Sequence, residues 1–202
     1  GLLADVFRTE GWTDDEVRVL RERKARFGAT PDEDLELSRA LNRQGHRAEA
    51  LAMVDELLRR LPYFHDGLRR AVDLFTDSHE YARAEKYARA RLESWPVDQA
   101  VWLQVSELQR RQDDFKGADE SVQQAATLCP ECATPWARRG ELAYEQGHVA
   151  QAITFWKKSL ELNPENEALA NRVEFLAPER IGPWMADVPT EARLEELVRN
   201  RG

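Results

Sequence analysis

Glycine and proline are scarce in this chain, at 10 and 9 of 202 residues, and cysteine is scarcer, at 2. Few glycines and prolines mean few turns, so the composition predicts a mostly helical chain. Two cysteines are too few for a disulfide framework. No apolar run approaches the roughly 18 residues that would suggest a membrane span. No charged segment followed by an apolar stretch opens the chain, so no secretory signal is visible. The chain starts at Gly1 instead of Met, which leaves room for a leader lost upstream. Basic residues are outnumbered, with 29 Lys and Arg against 37 Asp and Glu, giving a formal net charge of −8. That balance argues against sequence-independent binding to nucleic acid, which needs cations against phosphate. A phosphate loop, a GxSxG elbow and an HExxH helix are all missing, so no enzyme activity and no cofactor are expected.

The few turn residues are periodic. Pro62, Pro96, Pro130 and Pro164 are each 34 residues after the last, and Ala50, Ala84, Ala118 and Ala152 keep the same step. Leu68, Trp102 and Trp136 share one phase, and Gly11, Gly45 and Gly147 another. Four marker series in one register are a repeat, and a repeat governs the whole fold.

A 34-residue period with an aromatic near its start and a proline near its end resembles the tetratricopeptide repeat family. The best copy is 133–166, where Trp136, Gly140, Ala152, Trp156 and Pro164 stand at repeat positions 4, 8, 20, 24 and 32. Weaker copies occupy 31–64, 65–98 and 99–132. Residues 1–30 fit a partial unit with Leu3, Phe7 and Gly11 in phase, but with Glu16 at position 20 where the family has Ala. The resemblance implies an all-α fold, a right-handed α-solenoid of stacked antiparallel helix pairs over 1–177. A capping helix over 165–177 would close it, with Leu169, Val173 and Leu176 on one face.

The pattern has a physical basis. Spacings of three and four put Trp136, Leu142 and Ala143 on one face of a helix A, and Ile153, Trp156 and Leu160 on one face of a helix B. Small residues such as Gly140, Ser38, Ser106 and Ala152 are expected to let the two backbones approach closely. The proline at position 32 ends helix B. Arg139 and Arg91 depart from the pattern, at positions 7 and 27, where apolar or small residues are usual. The tail 178–202 carries Pro178, Pro183 and Pro189, then a short helix from about Thr190. It reads as docked, through Pro183-Trp184-Met185, or as a linker. It is similar to joins in exported bacterial proteins that couple such repeats to transglutaminase-like domains. On that alternative the chain is a segment of a larger protein whose chemistry lies elsewhere, in the periplasm once a leader is removed. Otherwise the cytoplasm is the default.

Local motifs add little chemistry. His46, His65, His79 and His148 read as solvated residues, with His46 and His148 in the turn between paired helices. Cys129-Pro130-Glu131-Cys132 is compatible with an inert loop pair, a local disulfide or half of a metal site without its other half.

What the resemblance implies about function is a groove lined by helix A of each unit. The family's contact positions fall on Arg39, Asn42 and Arg43; on Arg69, Asp73, Thr76 and Asp77, with Arg70 beside them; on Leu103, Glu107, Arg110 and Arg111; and on Glu141, Tyr144 and Glu145. The set is basic in the 31–64 unit and acidic in the 133–166 unit. The expected partner is a protein or peptide segment of mixed charge, bound without catalysis. The residues do not match the family's chaperone-tail clamp, since its first Lys and Asn are replaced by Leu35 and Arg39. No unit is net basic, their charges running from −3 to 0, which disfavours RNA.

Overall fold

A computed structural model describes residues 13–176. The expectations for Leu3, Phe7, Gly11, Ala177 and the tail 178–202 lie outside the described residues. Ten α-helices and no strand occur among the described residues: α1 (Thr13–Phe27), α2 (Pro31–Arg43), α3 (Arg47–Arg60), α4 (His65–Asp77), α5 (Tyr81–Ser94), α6 (Gln99–Arg110), α7 (Phe115–Leu128), α8 (Ala133–Glu145), α9 (Val149–Leu162) and α10 (Glu167–Leu176). The phase holds throughout. Each helix A (α2, α4, α6, α8) begins at repeat position 1, and each helix B (α3, α5, α7, α9) runs from position 17 to 30. Helix α1 also starts at position 17, so it is the helix B of the partial first unit.

The chain divides into two compact units, 1–128 and 129–202. In the first, every helix from α1 to α7 packs on its neighbour in sequence, and α2 also touches α4. Helix α4 explains why. Leu68, Ala71, Val72 and Phe75 follow one another at helical spacing and are all but fully buried. Helix α2 begins with a capping box, in which the Glu33 N–H donates to Thr30 Oγ1 and the Thr30 N–H donates to Glu33 Oε2. Pro31 follows where no backbone N–H is needed.

The turn from helix A to helix B is closed by the same backbone bond four times. The N–H at position 16 donates to the carbonyl at position 11: His46 to Leu41, Glu80 to Phe75, Asp114 to Gln109 and His148 to Ala143. This closure needs a left-handed residue at position 15. Gly45 and Gly147 supply it, with φ of 84° and 79°. His79 and Asp113 adopt the same conformation with side chains present, at 59° and 60°. The gap in the glycine series is therefore a gap in sequence, not in geometry.

Polar departures from the repeat pattern are paired. Glu16, in the alanine slot, is buried and accepts from Arg43 at 2.5 Å. Asp34, in the slot taken by Leu68 and Trp102 elsewhere, is buried and accepts from Lys24 and Arg60 at 2.7 and 2.8 Å. Arg91 donates to Gln104 Oε1 at 3.1 Å and so ties α5 to α6.

In the second unit Trp156 fills the centre. It is fully buried, and its Nε1 donates to the Ala137 carbonyl at 3.2 Å. The expectation that Gly140 serves backbone approach needs correcting. A Cβ at Gly140 would overlap Cδ1 and Nε1 of the Trp156 indole, so the glycine makes room for a side chain. Arg139 does not enter the core; its guanidinium lies 4.3 Å from the Phe155 ring centroid. Helix α10 starts at Glu167, two residues later than expected, because Asn166 caps it by accepting from the Leu169 N–H at 3.1 Å. Leu169 and Val173 then close the core. Cys129 and Cys132 form a disulfide with Cα atoms 5.3 Å apart. Among the described residues no group of His, Cys, Asp or Glu is placed to hold a metal ion.

Candidate functional site

The candidate residues fall into two sets, one in each unit. In the first unit the contact of α2 with α4 brings Arg39, Asn42 and Arg43 towards Arg70 and Asp73. Burial, and then the positive charge of Arg39, hold the Arg70 guanidinium below its ordinary range. Its Nε is buried without a hydrogen-bond partner, and so is Asn42 Oδ1. Two orphaned buried polar atoms on neighbouring helices are uncommon, and each has a cost. Asp73 is exposed at the residue level, yet its carboxyl is partly screened from solvent. That loss of solvent raises it above the usual carboxylate range, against the pull of Arg70 and Arg69.

The other candidates of this unit are engaged within the chain. Arg43 holds Glu16, and Arg69 pairs with Asp66 at 3.2 Å. Thr76 Oγ1 donates to the Val72 carbonyl, and the Asp77 carbonyl accepts from Arg47. Glu107 accepts from Arg110 and Arg111 at 2.7 and 2.8 Å. The hydrogen bond from Arg110 foremost, then that from Arg111, brings its carboxyl down to about 2, against the opposing effect of burial. Those two arginines therefore share one carboxylate, which offsets half of their positive charge. Leu103 is half-buried beside them.

In the second unit Glu141 pairs with Arg138 at 2.9 Å and lines a cleft of about 230 Å³ with Asn166 and Arg172. Tyr144 is partly exposed, its ring 5.5 Å from that of Trp156. Glu145 is exposed. His46 and His148 sit at helix N-termini without side-chain caps, and both are exposed.

Two surfaces escaped the sequence reading. One is a network on α3 and α5, where Tyr87 Oη donates to Asp55 at 2.5 Å and Arg83 pairs with the same carboxylate. The other is a run of exposed apolar residues at the turns between pairs, Tyr63, Trp95 and Val97. Its signal was available: positions 31 and 33 are apolar in two units and carry Glu131, Asn163 and Glu165 in the others.

The family model for the tetratricopeptide repeat matches residues 133–166. Human tetratricopeptide repeat protein 7A is 29% identical over 136 residues, covering 62% of this chain and 16% of that protein. The chain thus spans about a sixth of the length of that relative. Among solved structures, MamA 41-end from Desulfovibrio magneticus RS-1 superposes with a TM-score of 0.67 at 18% identity, over 81% of this chain and 93% of that one. TTC0263, a thermophilic TPR protein of Thermus thermophilus, gives 0.55 at 17% identity, over 86% and 95%. These likenesses concern the fold. Such repeats are in general non-enzymatic scaffolds with protein partners. Among the described residues no helix is long and apolar enough to cross a membrane. With residues 133–166 matched by the family model and the same helix phase carried back through 31–132, the chain carries a tetratricopeptide repeat and has the fold of stacked tetratricopeptide helix pairs.

Proposed function

We propose that the chain binds a partner segment of mixed charge on the helix-A face of its first unit, with a partner carboxylate received between Arg39 and Arg70. The observation that carries this reading is electrostatic. Arg39 and Arg70 make no ion pair among the described residues, the charge of Arg39 bears against that of Arg70, and Arg70 Nε lacks an acceptor. A carboxylate would relieve the repulsion and accept from both groups. Asp73 and Asp77 lie one and two turns further along α4 and suit a cation in the same segment. The surface is preformed on rigid helices, so little ordering cost falls on the protein. The net charge of −8 speaks against nucleic acid as the partner.

The test is fluorescence anisotropy with labelled peptides that alternate Glu and Lys. Arg39→Glu combined with Arg70→Gln is expected to weaken binding about tenfold or more, since each charge-assisted hydrogen bond is worth about 1.5–3 kcal/mol. Unchanged affinity would remove the site. Arg43 is unsuitable for this test, because reversing it would place a second negative charge against buried Glu16.

A further inference from the structure

The first unit has a cleft of about 500 Å³ between α3 and α5, the helices B of successive pairs. It is separate from the helix-A face and does not depend on the function proposed for it. The cleft has a local cause in the sequence. Ala90 stands at repeat position 26, where the other complete units carry Glu56, Gln124 and Lys158. A side chain ending at Cβ leaves the wall between two helices open. Leu58, Pro62 and Leu68 line the opening with apolar surface.

The charges around it are unequal in their commitments. Asp55 is satisfied by Tyr87 and Arg83, and Arg59 is held by Glu56 at 2.6 Å. Arg83 also pairs with Glu80 and lies 4.0 Å from the Phe75 ring centroid. Lys86 makes no ion pair among the described residues; its Nζ stands 5.6 Å from the centroid of the Tyr87 ring. The uncommitted charge at the cleft is therefore positive and stands above an apolar floor. In a chain of net charge −8, a local cation is what admits an acidic segment.

We propose that this cleft docks a partner peptide segment presenting a carboxylate beside a large apolar side chain, with the carboxylate at Lys86 and the apolar group in the space left by Ala90. The volume suits one such side chain with adjoining backbone. Lys86 contributes both its charge and its stem, which covers apolar surface.

The full chain, labelled with nitrogen-15, is titrated with acetyl-Glu-Leu-Trp-Glu-amide and with the counterpart carrying Lys in place of both Glu. The acidic peptide should give saturable amide shifts centred on Asp55–Leu61 and Arg83–Ala90, and the basic one none. Lys86→Glu should weaken the acidic peptide at least tenfold. Ala90→Leu, which fills the cleft, should abolish the shifts with helical circular dichroism unchanged. Equal shifts from both peptides would overturn the proposal. So would shifts confined to α2 and α4 around Arg39 and Arg70, a result that would leave the proposed function standing. Should Trp184→Ala move the cleft amides in the peptide-free chain, the occupant is the chain's own tail and the partner proposal falls.

Discussion

Replacing Gly140 by alanine sets two effects of opposite sign against each other. Gly140 lies inside α8, where alanine is favoured over glycine by about 1 kcal/mol in an exposed helix. The position is buried, and the new Cβ would overlap two atoms of the Trp156 indole and stand 2.8 Å from a third, Cγ. Trp156 cannot easily step aside. It is fully buried, its Nε1 is bonded to the Ala137 carbonyl, and Tyr144 and Arg172 stand over it at 5.5 Å each. Overpacking of this kind costs about 1–3 kcal/mol, and disturbing the indole hydrogen bond adds about 1 kcal/mol. After the propensity gain, the net destabilisation is about 2 kcal/mol. Urea unfolding followed by circular dichroism at 222 nm should show it as a lower midpoint with unchanged slope. A double-mutant cycle with Trp156→Phe isolates the cause and should return a coupling energy above about 1 kcal/mol. A midpoint that rises with Gly140→Ala, or a coupling near zero, would refute the steric argument.

Further outcomes follow from the same geometry. His79→Gly relieves a left-handed residue, worth about 1–2 kcal/mol, but loosens the unfolded chain and loses the contact of His79 Nδ1 with Tyr81 Oη. Its urea midpoint should rise by the equivalent of less than about 1 kcal/mol. Gly45→Ala should lower the midpoint by about 1 kcal/mol through backbone strain alone, because a Cβ there meets nothing within 4 Å. Glu107 is held near 2 against an ordinary 4.5, so its stabilising contribution is present above about 4.5 and is lost as pH falls towards 2. Glu107→Gln should flatten the stability curve in that window. Tyr87 is pushed up to about 12, by burial first and then by Asp55, so its contribution is present below pH 10 and lost between 10 and 12. Absorbance at 295 nm should show one late tyrosine, removed by Tyr87→Phe and shifted down by Asp55→Asn.

Much of the fold could be read from turn residues alone. Helix boundaries recur at fixed repeat positions because the same six-residue closure ends every helix A. Its chemistry is written into Gly45 and Gly147, and the proline series marks the other turn. The polar substitutions were harder to read. Glu16 and Asp34 looked like lapses in the pattern, and their partners Arg43, Lys24 and Arg60 are 10 to 27 residues away. No local periodicity carries such pairings. The same holds for the candidate site. Repeat phase selected the helix-A residues, but it could not distinguish Arg110 and Arg111, which share the Glu107 carboxylate, from Arg39 and Arg70, which make no ion pair among the described residues. The cleft beside Ala90 depends on a residue being small, which a motif search passes over.

The most direct test of a helix-A binding face is site-specific photo-crosslinking. A photo-reactive phenylalanine analogue is placed at Arg39 in one variant and at Lys116, a fully solvated position on a helix B, in another. Both variants are irradiated in cells, and adducts are identified by mass spectrometry. A discrete protein adduct at position 39, absent at position 116 and lost when Arg70→Gln is added, is the predicted result. Equal adducts at both positions, or an adduct only at 116, would contradict a partner held on the helix-A face.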